Sequence, residues 1–339
     1  MLHIDGASGE GGGQILRTAL SLSLLTGKPF RMTNIRAGRK KPGLMRQHLV
    51  GVQAARVIGQ AVVTGDVLRS TELTFEPFAV HAGHYHLPIG SAGSTMLVLQ
   101  TLLPVLMMQD KPSTLTLEGG THNPLAPTVD FIQRSFVPAL ARIGIEMSLT
   151  LTQPGFAPVG GGVVEVAIQP WRERHSLSLL ARGALTAINA YAGVLNLEGE
   201  IVRRELAVLA QTLSLNHQEE IFLRGMGQGN TALVEVVSES HTEVFTALGE
   251  HGKPAEQVAK HLAREVQRYL HAPSAVDEYL TDQLLLPLAL GLGGEFSCRT
   301  ISQHTRTQAQ MIEMFLPVQI HLIESDNKAF NTVQVVVST

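Results

Sequence analysis

The feature that most limits the fold of this chain is a helical segment that occurs three times. The copies are Gln14-Ile15-Leu16-Arg17-Thr18-Ala19-Leu20-Ser21, Leu99-Gln100-Thr101-Leu102-Leu103-Pro104 and Asp282-Gln283-Leu284-Leu285-Leu286-Pro287. The second and third share Gln-x-Leu-Leu-Pro, and the first fits the same register, so Arg17, Gln100 and Gln283 are equivalent positions. The residues after each copy also repeat: a turn, then a strand-like run at 29–33, 114–117 and 295–298. A loop and a second amphipathic helix come next, at 42–58, 127–143 and 305–315. A further strand closes the unit, as at 145–151 and 318–323. This order predicts three αβαβ-type units with added strands, an α+β arrangement with helices on one face of each sheet.

The spacing of the copies locates an insertion. Arg17 and Gln100 are 83 positions apart, Gln100 and Gln283 are 183 apart, and the excess of 100 residues is one small domain. The expectation is a main domain made of 1–182 and 274–339, with an inserted α/β domain at 183–273. Within the insertion, 184–197 reads as a strand or two, 200–213 as a helix, and 232–238 with 242–248 as a strand pair. The stretch 254–270 carries Val258, Ala259, Leu262, Ala263, Val266, Tyr269 and Leu270 on one stripe, behind a proline placed where a helix start tolerates it.

Composition narrows the function. The 339 residues are 44% hydrophobic and 16% charged, with a net charge of −3. A protein that coats a long duplex needs many cations, so this balance argues against that and permits an enzyme that grips only a strand end through a local basic pocket. No apolar run reaches the roughly 20 residues of a membrane span, and Met1-Leu2-His3-Ile4-Asp5-Gly6 does not read as a secretory leader. The single cysteine, Cys298, fits a reducing cytosol, and a cytoplasmic location is the expectation.

Several segments carry candidate chemistry. Glu10-Gly11-Gly12-Gly13 joins a strand to a helix start, where glycines let backbone N–H groups approach an anion and Glu10 could hold a divalent cation. It lacks the Lys-Ser/Thr of a P-loop, and a tight structural turn explains it equally well. The stretch 36–48 holds Arg36, Arg39, Lys40, Lys41 and Arg46 with no acid, and suits phosphate. Small-residue loops at 90–95, 119–124 and 160–162 read either as ligand approach or as close packing, and together suggest one shared cleft. His304 opens the last helix, where the positive helix end favours a neutral, nucleophilic imidazole. His81-x-x-His84-x-His86 resembles a metal cluster but lacks an evident fourth ligand. His3-Ile4-Asp5-Gly6 reads as a first strand rather than a ligase motif, and Cys298 as packing.

Taken in order, Gly9–Arg17, the 36–48 stretch with its Lys41-Pro42-Gly43-Leu44-x-Arg46-Gln47-His48, Gly90-Ser91-Ala92-Gly93-Ser94, Gly119-Gly120-Thr121-x-Asn123-Pro124 and Tyr279-Leu280-x-Asp282-Gln283 resemble the RNA 3′-terminal phosphate cyclases. The resemblance implies three units like the C-terminal domain of a bacterial initiation factor, plus a small insert. It implies ATP and a divalent cation, magnesium or manganese, and an RNA 3′-phosphate end as substrate; no membrane association is expected, and no obligate protein partner is evident. The implied reaction gives a 2′,3′-cyclic phosphate, AMP and pyrophosphate through a histidine–AMP intermediate. On these motifs His304 is the nucleophile and Glu10 touches the metal. Gln100, Pro127, Tyr279, Asp282 and Gln283 surround the nucleotide, while Arg17, Arg36, Arg39, Arg46 and Gln47 hold RNA phosphates. The neighbours of His304, Gln303 and Thr305, form no recognised motif. Two alternatives remain at this point: a non-catalytic, cyclase-like RNA-binding factor of ribosome maturation, and a small-molecule transferase resembling the enolpyruvyl transferases.

Overall fold

The computed structural model describes residues 1–9, 12–90, 92–325 and 330–337. Its first unit runs β1 (Leu2–Asp5), α1 (Gly13–Thr26), β2 (Phe30–Thr33), α2 (Arg46–Ile58), β3 (Val62–Thr64) and β4 (Leu73–Glu76). The second runs β5 (His84–Pro88), α3 (Thr95–Leu106), β6 (Ser113–Gly119), a helical stretch, β7 (Met147–Gln153) and β8 (Gly162–Ile168). That stretch is α4 (Val129–Phe131), a π-helical turn (Ile132–Phe136) and α5 (Val137–Ala141). The third unit opens with β9 (Leu177–Leu179) and is then interrupted by β10 (Leu185–Leu195), α6 (Glu200–Thr212), β11 (His217–Leu223), β12 (Gly229–Ser238), β13 (Thr242–Leu248) and α7 (Ala255–His271). It resumes with α8 (Glu278–Leu290), β14 (Gly294–Cys298), α9 (Gln303–Phe315), β15 (Val318–Ile323) and β16 (Asn331–Val337).

The three units share one topology. Their sheets order as β1-β2-β4-β3, β5-β6-β8-β7 and β9-β14-β16-β15, with the first pair parallel and the others antiparallel. Each unit is therefore βαβαββ and starts one strand earlier than the repeat pattern suggested. The chain is mixed α+β, as expected.

Local chemistry sets the helix ends. Ser94, Thr128 and Ser302 cap α3, α4 and α9, each accepting from a backbone N–H three residues on. The start of α1 differs: its N-cap is Gly12, which has no side chain to cap with. Its first-turn N–H groups therefore have no side-chain partner from the N-cap, and such a turn attracts anions. Gly27, at φ 67°, closes α1, with its N–H donating to Ser23 O. Helix α1 packs on α2, α3 and α9, so Ile15, Leu16, Ala19, Leu20 and Leu22 are all buried.

The stretch from β10 to α7 has its own core. Helices α6 and α7 cover one face of the β11-β10-β12-β13 sheet through Val202, Leu206, Leu209, Val258, Leu262 and Val266. On the other face, Leu233 and Val244 belong to the core of the repeated units, against which Tyr191 packs.

Candidate functional site

The repeat positions converge. Arg17, Gln100 and Gln283 all line one cleft, together with the residues four further on, Ser21, Pro104 and Pro287. Prolines inside α3 and α8 cannot donate to the carbonyls of Gln100 and Gln283, which leaves those acceptors outside the helical ladder. In α1 the corresponding Ser21 keeps its N–H, and its hydroxyl donates to Thr101 O at 2.7 Å, tying α1 to α3. Leu103, Met107, Phe136 and Leu286 supply apolar wall, and Gln14, Thr18, Asp282 and Gln308 supply polar groups. The Gln283 Nε2 donates to Tyr279 O at 3.0 Å, and its Oε1 is buried with no hydrogen-bond partner among the described residues.

A hydrogen-bonded relay runs from this cleft to the last helix. Gln14 Nε2 donates to Asp282 Oδ2 at 3.1 Å, and Gln14 Oε1 lies 2.5 Å from His304 Nδ1. An amide oxygen only accepts, so the proton between them belongs to Nδ1, and the neutral ring carries its lone pair on Nε2. His304 is exposed at the second residue of α9, behind the Ser302 cap. Burial lifts the Asp282 carboxyl to about 7, against the opposing pull of Arg17. Burial likewise draws Arg17 down to about 10, against the pull of Asp282, and leaves it cationic at neutral pH. Thr18 Oγ1 donates to Gln308 Oε1 at 2.6 Å and fastens α1 to α9 beside the relay.

The glycine run and the basic stretch meet at the start of α1. A Cβ on Gly13 would lie 2.6 Å from His48 Nε2 and 2.9 Å from Arg17 Nη1, and one on Gly12 would lie 3.3 Å from Arg39 Nη2. A side chain at Gly13 would collide with the buried His48 ring, while at Gly12 the Arg39 side chain would have to give way by a few tenths of an ångström. His48 Nδ1 accepts from the Met45 N–H at 3.0 Å, which directs the ring's N–H to Nε2, beside Arg17. Burial, then Arg36 and Arg17, push His48 down to about 3, so the ring stays neutral. Arg36 donates through Nη1 to Lys41 O at 2.8 Å and to Gly43 O at 3.0 Å, which holds the loop in shape.

Other expected residues fall elsewhere. Arg46 and Gln47 are exposed on the first turn of α2, three and four residues past Gly43. Pro127 precedes the Thr128 cap, Tyr279 is exposed on the first turn of α8, and neither lines the cleft. Glu10 lies outside the described residues, and so does Ser91 of the 90–95 loop. The small-residue loops of the second unit do not line the cleft, contrary to the shared-cleft expectation. They pack on one another: a Cβ on Gly119 would meet Gly93 O at 2.7 Å, and one on Gly155 would meet Gly162 N at 2.3 Å. His84 and His86 bond Thr114 and Glu118 across the β5–β6 pair. No group of three or more His, Cys, Asp or Glu residues that could hold a metal occurs among the described residues. Two contributors were absent from the expected set, Gln14 and His48. Both sit inside the motifs that were singled out, but Gln14 bonds residues at the far end of the chain, while His48 meets Met45 and the start of α1.

An exposed imidazole, a half-buried guanidinium and an uncapped, glycine-lined helix start suit a protein that handles phosphate esters. A family model described as RNA 3′-terminal phosphate cyclase matches residues 8–322, nearly the whole chain. The chain belongs to that family, which supports a cyclase-type function on RNA in broad terms and an RNA substrate. No helix among the described residues is long and apolar enough to cross a membrane.

Proposed function

We propose that the protein is an active, ATP-dependent catalyst that converts an RNA 3′-terminal phosphate into a 2′,3′-cyclic phosphate in the cytoplasm. The supporting observation is the Asp282–Gln14–His304 relay, which puts the ring's lone pair on Nε2 of an exposed histidine. In the first step that lone pair attacks the α-phosphorus of ATP. The bond to the β-phosphate oxygen breaks, and pyrophosphate leaves. A terminal phosphate oxygen of the RNA then attacks the same phosphorus and breaks the P–N bond, which returns neutral His304. Finally the 2′-hydroxyl attacks the 3′-phosphorus, loses its proton, and AMP departs. Activation is needed because a hydroxyl displaces an unactivated phosphate poorly.

In this reading Arg17, the His48 Nε2–H and the first turn of α1 bind phosphate oxygens, with Arg36, Arg39, Arg46 and Gln47 along the approach. Gln100, Asp282 and Gln283 face the nucleotide from the cleft, and Pro127 and Tyr279, which do not line it, contact the nucleotide from outside it. Glu10 is the candidate to hold a magnesium or manganese ion, which would bind one or two protein carboxylates together with substrate phosphate. Such an ion would neutralise the departing pyrophosphate.

The test is conversion of a 3′-phosphorylated oligonucleotide to a phosphatase-resistant product by wild type and His304→Ala. The expected result is ATP-dependent conversion by the wild type alone. No conversion by the wild type, with tight binding of the RNA end retained, would point to a non-catalytic RNA-binding relative. Conversion by His304→Ala would remove His304 from the role.

A further inference from the structure

The stretch from β10 to α7 contributes no residue to the cleft, yet it grips both sides of it. Glu243 on β13 pairs with Val236 of β12, while Glu235 on β12 pairs with Val244 of β13. Successive side chains on a strand point to opposite faces, so Glu235 and Glu243 leave the sheet in opposite directions. Glu235 accepts from Arg134 Nη1 at 2.7 Å and from the Tyr191 hydroxyl at 3.2 Å, and the Arg134 guanidinium lies 4.5 Å from the Tyr191 ring centroid. Arg134 stands on the π-helical turn of the second unit, and Phe136 of that turn lines the cleft.

Glu243 reaches the third unit. Its Oε2 accepts the backbone N–H of Asp277 at 3.0 Å and lies 3.3 Å from His241 Nε2. Asp277 is the N-cap of α8, the helix of Asp282 and Gln283. Its own carboxylate accepts from Arg299 Nε at 3.2 Å, and Arg299 begins the short loop into α9 and His304. Nearby, the Tyr269 hydroxyl donates to Ala275 O at 2.7 Å, and Arg182 donates to the carbonyls of Tyr269 and Leu270, both at 2.8 Å. Burial, reinforced by Glu243, lifts the Asp277 carboxyl to about 6 against the pull of Arg299. Glu243 is 1% exposed and Asp277 3%. A buried ionic cluster is a poor source of stability compared with apolar packing of the same volume. What this cluster does supply is direction: its bonds end on the N–H of the residue that caps the nucleotide-side helix and on the arginine that leads to the proposed nucleophile.

The geometry points to Glu243 as a positioning residue for nucleotidyl transfer: through Asp277 and Arg299, the inserted sheet fixes α8 and His304 relative to each other. This rests on the cyclase reading for the reaction it serves. The test compares Glu243→Ala, Glu243→Gln and Leu262→Ala. The last weakens the inserted core without touching Asp277. Two quantities decide the outcome: transfer of α-labelled phosphate from ATP to the protein, and amide hydrogen exchange at 278–283 and 299–304. Glu243→Ala is expected to slow labelling at least tenfold and speed exchange in both segments, with unchanged binding of a 3′-phosphorylated oligonucleotide. Glu243→Gln, whose amide oxygen still accepts the Asp277 N–H, is expected to restore most of both. Leu262→Ala is expected to lower the thermal midpoint and leave both near wild type. Equal effects of Glu243→Ala and Leu262→Ala, or none of Glu243→Ala on exchange, would overturn the inference. If the wild type itself takes no label, the cyclase reading fails, and the exchange data alone still decide whether Glu243 positions these segments.

Discussion

Two carboxylic acids in this molecule, one half-buried and one fully buried, are lifted to the same value for the same reason and serve different ends. Desolvation raises Asp282 in the repeated units and Glu205 in the inserted stretch to about 7. Asp282 lines a cleft, feels Arg17, and is bonded to Gln14, which in turn bonds His304. Glu205 faces the core of its own sheet. One oxygen accepts from Asn230 Nδ2 at 2.9 Å, and the other has no partner among the described residues. A perturbed acid therefore marks a functional site only when an opening and a chain of partners accompany it.

Four predictions put this contrast to the test. The largest concerns Glu205. Its folded pKa lies above its ordinary value, so its contribution to stability is full below about pH 4.5 and is lost as the pH rises through about 7. That corresponds to roughly 3 kcal/mol between acid and mildly alkaline solution. In Glu205→Gln this dependence should vanish, read as equal urea midpoints for the inserted unit at pH 5 and 8.5, with labelling from ATP unchanged. Next, Gln14→Leu severs the relay and should slow labelling about a hundredfold, or about 2.7 kcal/mol, in a single-turnover measurement. Third, Asp282 ionises as the pH rises through about 7, and only the ionised form fully orders Gln14. Wild-type labelling should then fall about tenfold from pH 8 to pH 6, and Asp282→Asn should flatten this step. The smallest effect belongs to Arg36→Met, which loses the bonds to Lys41 O and Gly43 O. Affinity for a 3′-phosphorylated oligonucleotide should weaken about threefold, or about 0.7 kcal/mol.

Much of the architecture was legible because it repeats. The Arg17, Gln100 and Gln283 register needed only like residues at like helical positions, and all three line the cleft. The opening strands β5 and β9 were not legible: His84–Pro88 alternates half-buried with exposed side chains, and Leu177–Leu179 is three residues long. Strand β11 escaped because His217–Leu223 is a polar, largely exposed edge. The π-helical turn leaves no mark on periodicity. The site was legible as motifs but not as a relay. Gln14 meets Asp282 across 268 positions and His304 across 290, and no local pattern encodes such pairings. The second unit's glycine loops misled because glycine serves backbone packing as readily as ligand approach.

The proposed chemistry stands or falls on whether His304 Nε2, with its ring held by Gln14, takes the nucleotide. The direct measurement is to incubate the protein with ATP, digest it under alkaline conditions that preserve phosphoramidates, and map the AMP adduct by mass spectrometry. The expected result is an acid-labile AMP on the peptide containing His304, absent from His304→Ala and scarce in Gln14→Leu. AMP on another residue, or full labelling of His304→Ala, would contradict it.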